Sequence, residues 1–266
     1  MNRLPLELHR LFVPRAAGAA DTDPDDASLV DADGRVRAMV LALARPADWA
    51  ALSKVWHGVQ ADLGLPAPAI AVAGPDGYQL WFSLAAPLPA AQAAAFLEAL
   101  RLRYLGDIAP LRVAAMPIPA TAAGQAVRQA RLVPAKQPGS GLWTAFVAPD
   151  LAPVFADEPW LDSPPNLDGQ ASLLGRLVSI QATDLQQALD RLAPALAGRL
   201  APAATPAAQP PDAGNELAKQ RPAPAGGGLD PKRFLLDVLN DEGVAMGLRI
   251  DAAIALLPYF DTPRQP

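Results

Sequence analysis

The sequence predicts an α+β fold: a βαββαβ core with extra strands, followed by helices, a disordered linker and a C-terminal helical pair. Three observations predict it. Residues 70–84, IAVAGPDGYQLWFSL, read as a β-hairpin. Apolar runs and helical stripes alternate on either side of that hairpin. A Pro-, Ala- and Gly-rich stretch at 201–229 sets the final helical pattern apart from everything before it.

The hairpin organises the rest. Residues 70–73 are an apolar run, and Gly74-Pro75-Asp76-Gly77 cannot continue a strand. Pro75 fixes φ at a turn position, and Gly77 accepts φ > 0 at its end. Residues 78–84 resume as β-formers. Tyr78, Leu80, Phe82 and Leu84 share one face at period two and read as core. Gln79, Trp81 and Ser83 share the other, which borders solvent, another layer or a site. The plain reading is an ordinary hairpin with one amphipathic face.

In chain order, residues 4–13, LPLELHRLFV, alternate loosely and predict a first strand. Asp21, Asp23 and Asp25 match the opening ligands of an EF-hand loop. Asp26 stands where the sharp-turn glycine belongs, Ala32 where the closing glutamate belongs, and Pro24 interrupts, so a solvated acidic loop is expected. Residues 28–31 form a short strand, and Asp33-Gly34 is a hairpin turn. Asp31 and Asp33 are a D-x-D pair open to a metal reading, but turn aspartates usually bond the backbone. Residues 36–44, VRAMVLALA, form a buried strand ended by Pro46. Asp48 caps a helix to Leu63, whose inner stripe is Trp49, Leu52, Val55, Trp56, Val59 and Leu63. After the hairpin, Pro87 and Pro89 lead into a helix over about 90–105 with Phe96, Leu97, Leu100 and Tyr104 inward. A strand over 111–116 completes the core. The order from 36 to 116 is the split βαβ, ferredoxin-like arrangement, with both helices on one sheet face and the other left for extra strands or a ligand.

Residues 117–129 read as a loop, and 130–134 and 142–148 as a second hairpin. Residues 150–165 form an irregular aromatic segment, and helices follow over 167–180 and 183–199. The linker, 201–229, lacks aromatics. Residues 230–240 and 244–257 then form a helical pair too small to stand alone, which docks on the main domain or a partner. The expected domains are 1–200, the linker 201–229 and the helical segment 230–266.

Composition narrows the function. The chain is 51% hydrophobic, enough for a sizeable core, and its net charge of −5 disfavours tight sequence-independent nucleic-acid binding. There is no cysteine, so no thiolate metal site or nucleophile. The two histidines, His9 and His57, lie far apart and read as structural or surface residues. Neither a membrane span nor a signal-peptide pattern is visible, so a cytoplasmic location is expected.

The hairpin residues Ala73-Gly74-Pro75-Asp76-Gly77-Tyr78-Gln79-Leu80-Trp81 resemble those of the archaeo-eukaryotic-type primase-polymerases, including the plasmid and phage branch. That family has an RRM-like core and typically reads Ser-Gly-x-x-Gly-aromatic-His-hydrophobic-Trp. The glycines, the aromatic and the tryptophan match over a core of about residues 36–116. The departures matter more. The family places metal-binding carboxylates on the strand before the first helix, and residues 39–44, MVLALA, carry none. Gln79 stands for the phosphate-contacting histidine, Ala73 for the serine, and Asp76 for a frequently basic position. The resemblance implies a degenerate member: non-catalytic, without metal or cofactor, binding nucleotide, nucleic acid or a replication-associated partner. The ligand residues expected are Gly74, Gly77, Gln79, Trp81 and Ser83, with Arg37 or Arg45 nearby. An RRM-type variant would stack bases on Trp81. The alternative is a structural or interaction module working through 230–266, where Leu248 to Ala253 and Leu257 to Tyr259 are similar to helical pieces near phage DNA-packaging small subunits. An unrecognised enzyme would have only His9 or His57 as histidine base.

Overall fold

The computed structural model describes residues 3–14, 28–44, 46–120, 122 and 125–200, and all side chains among them except those of Pro75 and 195–200. These residues belong to the first of the chain's two units, Met1–Pro206. The acidic loop at 21–26, Arg45, the linker and the helical segment 230–266 lie outside the described residues.

The fold is mixed α+β, with a five-stranded antiparallel sheet and helices on both faces. The elements in order are α1 (Leu4–Leu11), β1 (Arg35–Leu43), α2 (Trp49–Ala61), β2 (Ala69–Val72), β3 (Tyr78–Pro89), α3 (Ala90–Tyr104), β4 (Val113–Met116), β5 (Ala145–Val147), α4 (Leu167–Leu174) and α5 (Ala182–Leu200). The strands lie in the order β4-β1-β3-β2-β5.

β1 and β3 are central and covered on both faces, which is why β1 is a near-continuous apolar run. Met39, Leu41, Leu43, Tyr78, Leu80 and Phe82 join the core beneath α2, α3 and α5. Ala38, Val40, Ala71 and Trp81 join a second core with Leu4, Leu8, Leu11 and Phe12 of the α1 region and Ala171 and Leu174 of α4. Asp48 caps α2 as expected, its side chain accepting from Ala51 N. The turn after β2 pairs Val72 with Tyr78, so the hairpin register follows the Gly-Pro-Asp-Gly sequence.

Several expectations are corrected. Residues 4–13 are not a strand: Leu4, Leu8 and Leu11 fall on one helical face, Pro5 suits the first turn, and Leu6 points outward at 71% exposed. That period mimics loose alternation over so few residues. Residues 28–31 contribute one bridge, Val30 to Val36, around the Asp31–Gly34 turn. Residues 130–134 form no strand, and the second hairpin is reduced to a Lys136–Trp143 bridge leading into β5. The helix expected over 167–180 ends at Leu174, and Ile180 instead bridges Leu84 in parallel. The strand expected to end at residue 84 continues as β3 to Pro89, opposite Arg35, and α3 follows directly at Ala90.

α1 and α4 cover part of the second sheet face, held partly by arginines. A register shift in β1 between Val36 and Ala38 accompanies the buried Arg37, whose guanidinium donates to the carbonyls of His9, Arg10 and Val13 at the end of α1 and to Leu84 of β3. Arg10 in turn donates to the carbonyls of Leu174 and Leu177 at the end of α4. A cation at a helix C-terminus meets both unpaired carbonyls and the negative end of the dipole.

Candidate functional site

The hairpin turn sets one edge of the candidate site. Gly74 and Gly77 both have positive φ, 59° and 64°. A Cβ on Gly77 would collide with the carbonyl oxygen of Leu43, so this glycine is required by close approach as well as by φ. The Gly74 N–H donates to Pro159 O, and Gln137 Nε2 donates to Ala73 O. Both glycines therefore shape the turn.

The three side chains on the outer face of β3 have different fates. Trp81 is buried at 1% exposure, edge-on to Phe12 at 5.2 Å and to Phe146 at 5.9 Å. It has no free ring face for a base, and the stacking expectation is corrected for this residue. Ser83 is also buried: its Oγ donates to Leu11 O at 2.7 Å and lies 2.6 Å from Ser179 Oγ. Arg37 is taken up by the carbonyls described above. These residues border another layer rather than a ligand.

Gln79 differs. Its Oε1 accepts from Trp81 Nε1 at 2.9 Å. An indole N–H can only donate, so it must meet the amide oxygen, and the orientation of the amide is fixed. The amide NH2 then has no acceptor among the described residues. Among the described residues no fully buried side-chain nitrogen or oxygen lacks a partner, so that NH2 retains some accessibility. Gln79 lines a cavity of about 370 Å³.

This cavity lies over the β4 half of the second face. Val40 and Ala42 of β1, Gln79 of β3, and Ala114 and Met116 of β4 line it. The small alanines give it depth. Its other walls come from residues 129–138, with Arg112 beside β4. Arg112 is partly committed, donating to Pro46 O at 2.9 Å. Arg131 and Lys136 are exposed and have no side-chain partner among the described residues. Asp76 is the one carboxylate among the described lining residues. The site thus presents an amide NH2 and three cationic side chains against one acid. That arrangement suits an oxyanion better than a cation.

Carboxylates do not gather here. Among the described residues no group of three or more His, Cys, Asp or Glu could hold a metal ion. The residues of the 39–44 run that line the cavity are Val40, Ala42 and Ala44. Asp31 serves its turn, its Oδ1 accepting from the N–H groups of Asp33 and Arg35. His57 is exposed and edge-on to Trp56 at 4.9 Å, and His9 is exposed on α1.

Arg112, Arg131, Lys136 and Gln137 escaped the sequence reading. Their charge was visible, but only the return of residues 129–138 over β1 and β4 brings them to Gln79. Beside the turn, burial first and the charge of Asp157 second push the Tyr78 hydroxyl up to about 12, and it donates to Ala152 O at 2.7 Å. No protein-family model matches the chain, and no curated protein matches it either.

Proposed function

We propose that this chain is a non-catalytic, primase-like protein that binds the phosphate of a nucleotide or of a nucleic-acid strand in the cavity beside Gln79. The carrying observation is the fixed Gln79 amide, its NH2 left without an acceptor, beside the uncommitted cations Arg131 and Lys136. Charge-assisted donors around a concave pocket are what a phosphate group requires.

Two further features support the primase-like part. The element order β1-α2-β2-β3-α3-β4 and the strand order β4-β1-β3-β2 support reading this part as a ferredoxin-like, RRM-like plan. Ala73 and Asp76 of the hairpin turn line the cavity, while Gly74 and Gly77 line the concavity on the turn's other side. The non-catalytic part rests on the described lining of the cavity, where Asp76 stands alone and two-metal nucleotidyl transfer would need clustered carboxylates.

The test is fluorescence anisotropy of a labelled nucleoside triphosphate and a labelled single-stranded oligonucleotide, at low and moderate salt. The Arg131→Ala/Lys136→Ala double variant is expected to weaken binding about tenfold or more and to flatten the salt dependence. Absence of binding by the folded wild type, or unchanged binding by the double variant, would overturn the reading.

A further inference from the structure

A second concavity, of about 850 Å³, opens on the other side of the hairpin turn, between the N-terminal end of α2 and residues 153–160. Its chemistry is opposite to that of the phosphate cavity. Trp49, Trp160, Pro46, Pro153 and Pro159 supply ring surfaces, and Asp48 and Asp157 supply the charge. Among its described lining residues there is no lysine or arginine.

Trp49 is held but not used up. Trp49 leans on Tyr78 at 5.5 Å, and the Tyr78 hydroxyl is anchored on Ala152 O. Trp56 and Trp81 spend their indole N–H on Pro68 O and Gln79 Oε1. The N–H groups of Trp49 and Trp160 have no acceptor among the described residues, and both rings are half-buried. Because no fully buried side-chain polar atom is unpaired among the described residues, both N–H groups keep some exposure to solvent, and both tryptophans line the groove.

We propose that this groove docks a proline-rich, basic peptide in the polyproline II conformation. Such a peptide has no internal hydrogen bonds, so its carbonyls are free to accept from indole N–H groups. Its rings pack on aromatic faces at little entropic cost, because the conformation is preformed. A flanking arginine or lysine meets Asp157, while Asp48 keeps its capping bond to Ala51 N. Asp48 and Asp157 are the charged groups of its described lining, where the other cavity presents Arg131 and Lys136, so this inference stands apart from the nucleotide reading.

The test uses the full chain and the indole ¹H–¹⁵N signals of its five tryptophans, assigned by single Trp→Phe variants. The probes are Arg-Arg-octaproline, Glu-Glu-octaproline, a length-matched Arg-Arg-(Gly-Ser) peptide and argininamide. Arg-Arg-octaproline is expected to shift the Trp49 and Trp160 signals saturably, and about fivefold more tightly than the Glu-Glu peptide. Asp157→Asn should erase that preference, and Trp160→Phe, which keeps a ring and removes the N–H, should weaken binding. Nucleotide binding should be untouched in both variants. The proposal is overturned by an absence of shifts at millimolar peptide, by equal response to the Gly-Ser peptide, or by argininamide binding as tightly as the proline peptide.

Discussion

Trp81 Nε1 donates to Gln79 Oε1 at 2.9 Å across one face of β3. This bond joins the second core to the cavity beside Gln79, because it uses the indole N–H and leaves the amide NH2 without an acceptor among the described residues. Two substitutions at Gln79 separate its roles. Gln79→Leu orphans a buried donor and should destabilise the fold by about 1–3 kcal/mol, read by urea denaturation. Gln79→Glu keeps an acceptor for Trp81 but sets a charge against phosphate. It should lose nucleotide affinity at least about tenfold with a smaller effect on stability.

Arg37 gives a prediction of the opposite kind. Its guanidinium serves carbonyls of α1 and β3, and the residue is 7% exposed. Arg37→Met should cost about 2–4 kcal/mol by chemical denaturation. Arg37→Lys should recover little, since an ammonium cannot reproduce the planar fork. A stability-neutral Arg37→Met that loses ligand binding would return Arg37 to the list of ligand residues.

Glycine position by position tests the turn. Gly77→Ala meets both a strained φ and the Leu43 carbonyl, and should cost about 3 kcal/mol or more. Gly139 also has positive φ, at 83°, but a Cβ there meets nothing within 4 Å, so Gly139→Ala should cost only about 1 kcal/mol. Equal thermal shifts for the two variants would contradict the close approach at Gly77.

Alkaline pH should destabilise the domain through its tyrosines. Burial raises Tyr78 and Tyr104 to about 12, with Asp157 and Asp62 reinforcing the shifts. A hydroxyl whose folded pKa lies above its unfolded value of 10.0 contributes stability that is fully present below pH 10 and lost as pH climbs towards 12. The melting temperature should therefore fall across that window, and Tyr78→Phe/Tyr104→Phe should flatten the fall. An equally steep decline in the double variant would contradict this.

The legible parts of the chain were those with local signals. Asp48 announces α2, the Gly-Pro-Asp-Gly turn sets the Val72–Tyr78 register, and Met39, Leu41 and Leu43 announce a buried strand. What was not legible depends on distant partners. Solvent, another layer and a site stay open for Trp81 and Ser83 until Phe12, Phe146 and Leu11 arrive from elsewhere in the chain. α1 is eight residues long, too short for its period to stand out from a strand's. Arg131 and Lys136 join Gln79 only through the fold of a proline-containing loop that has no periodicity to read.

The most direct measurement is the side-chain amide ¹H–¹⁵N signal of Gln79 during titration with a nucleoside triphosphate. The account predicts a saturable shift of that signal, with an affinity that falls in the Arg131→Ala/Lys136→Ala variant. Nucleotide binding that leaves the Gln79 signal in place would put the ligand elsewhere on the protein and contradict the account.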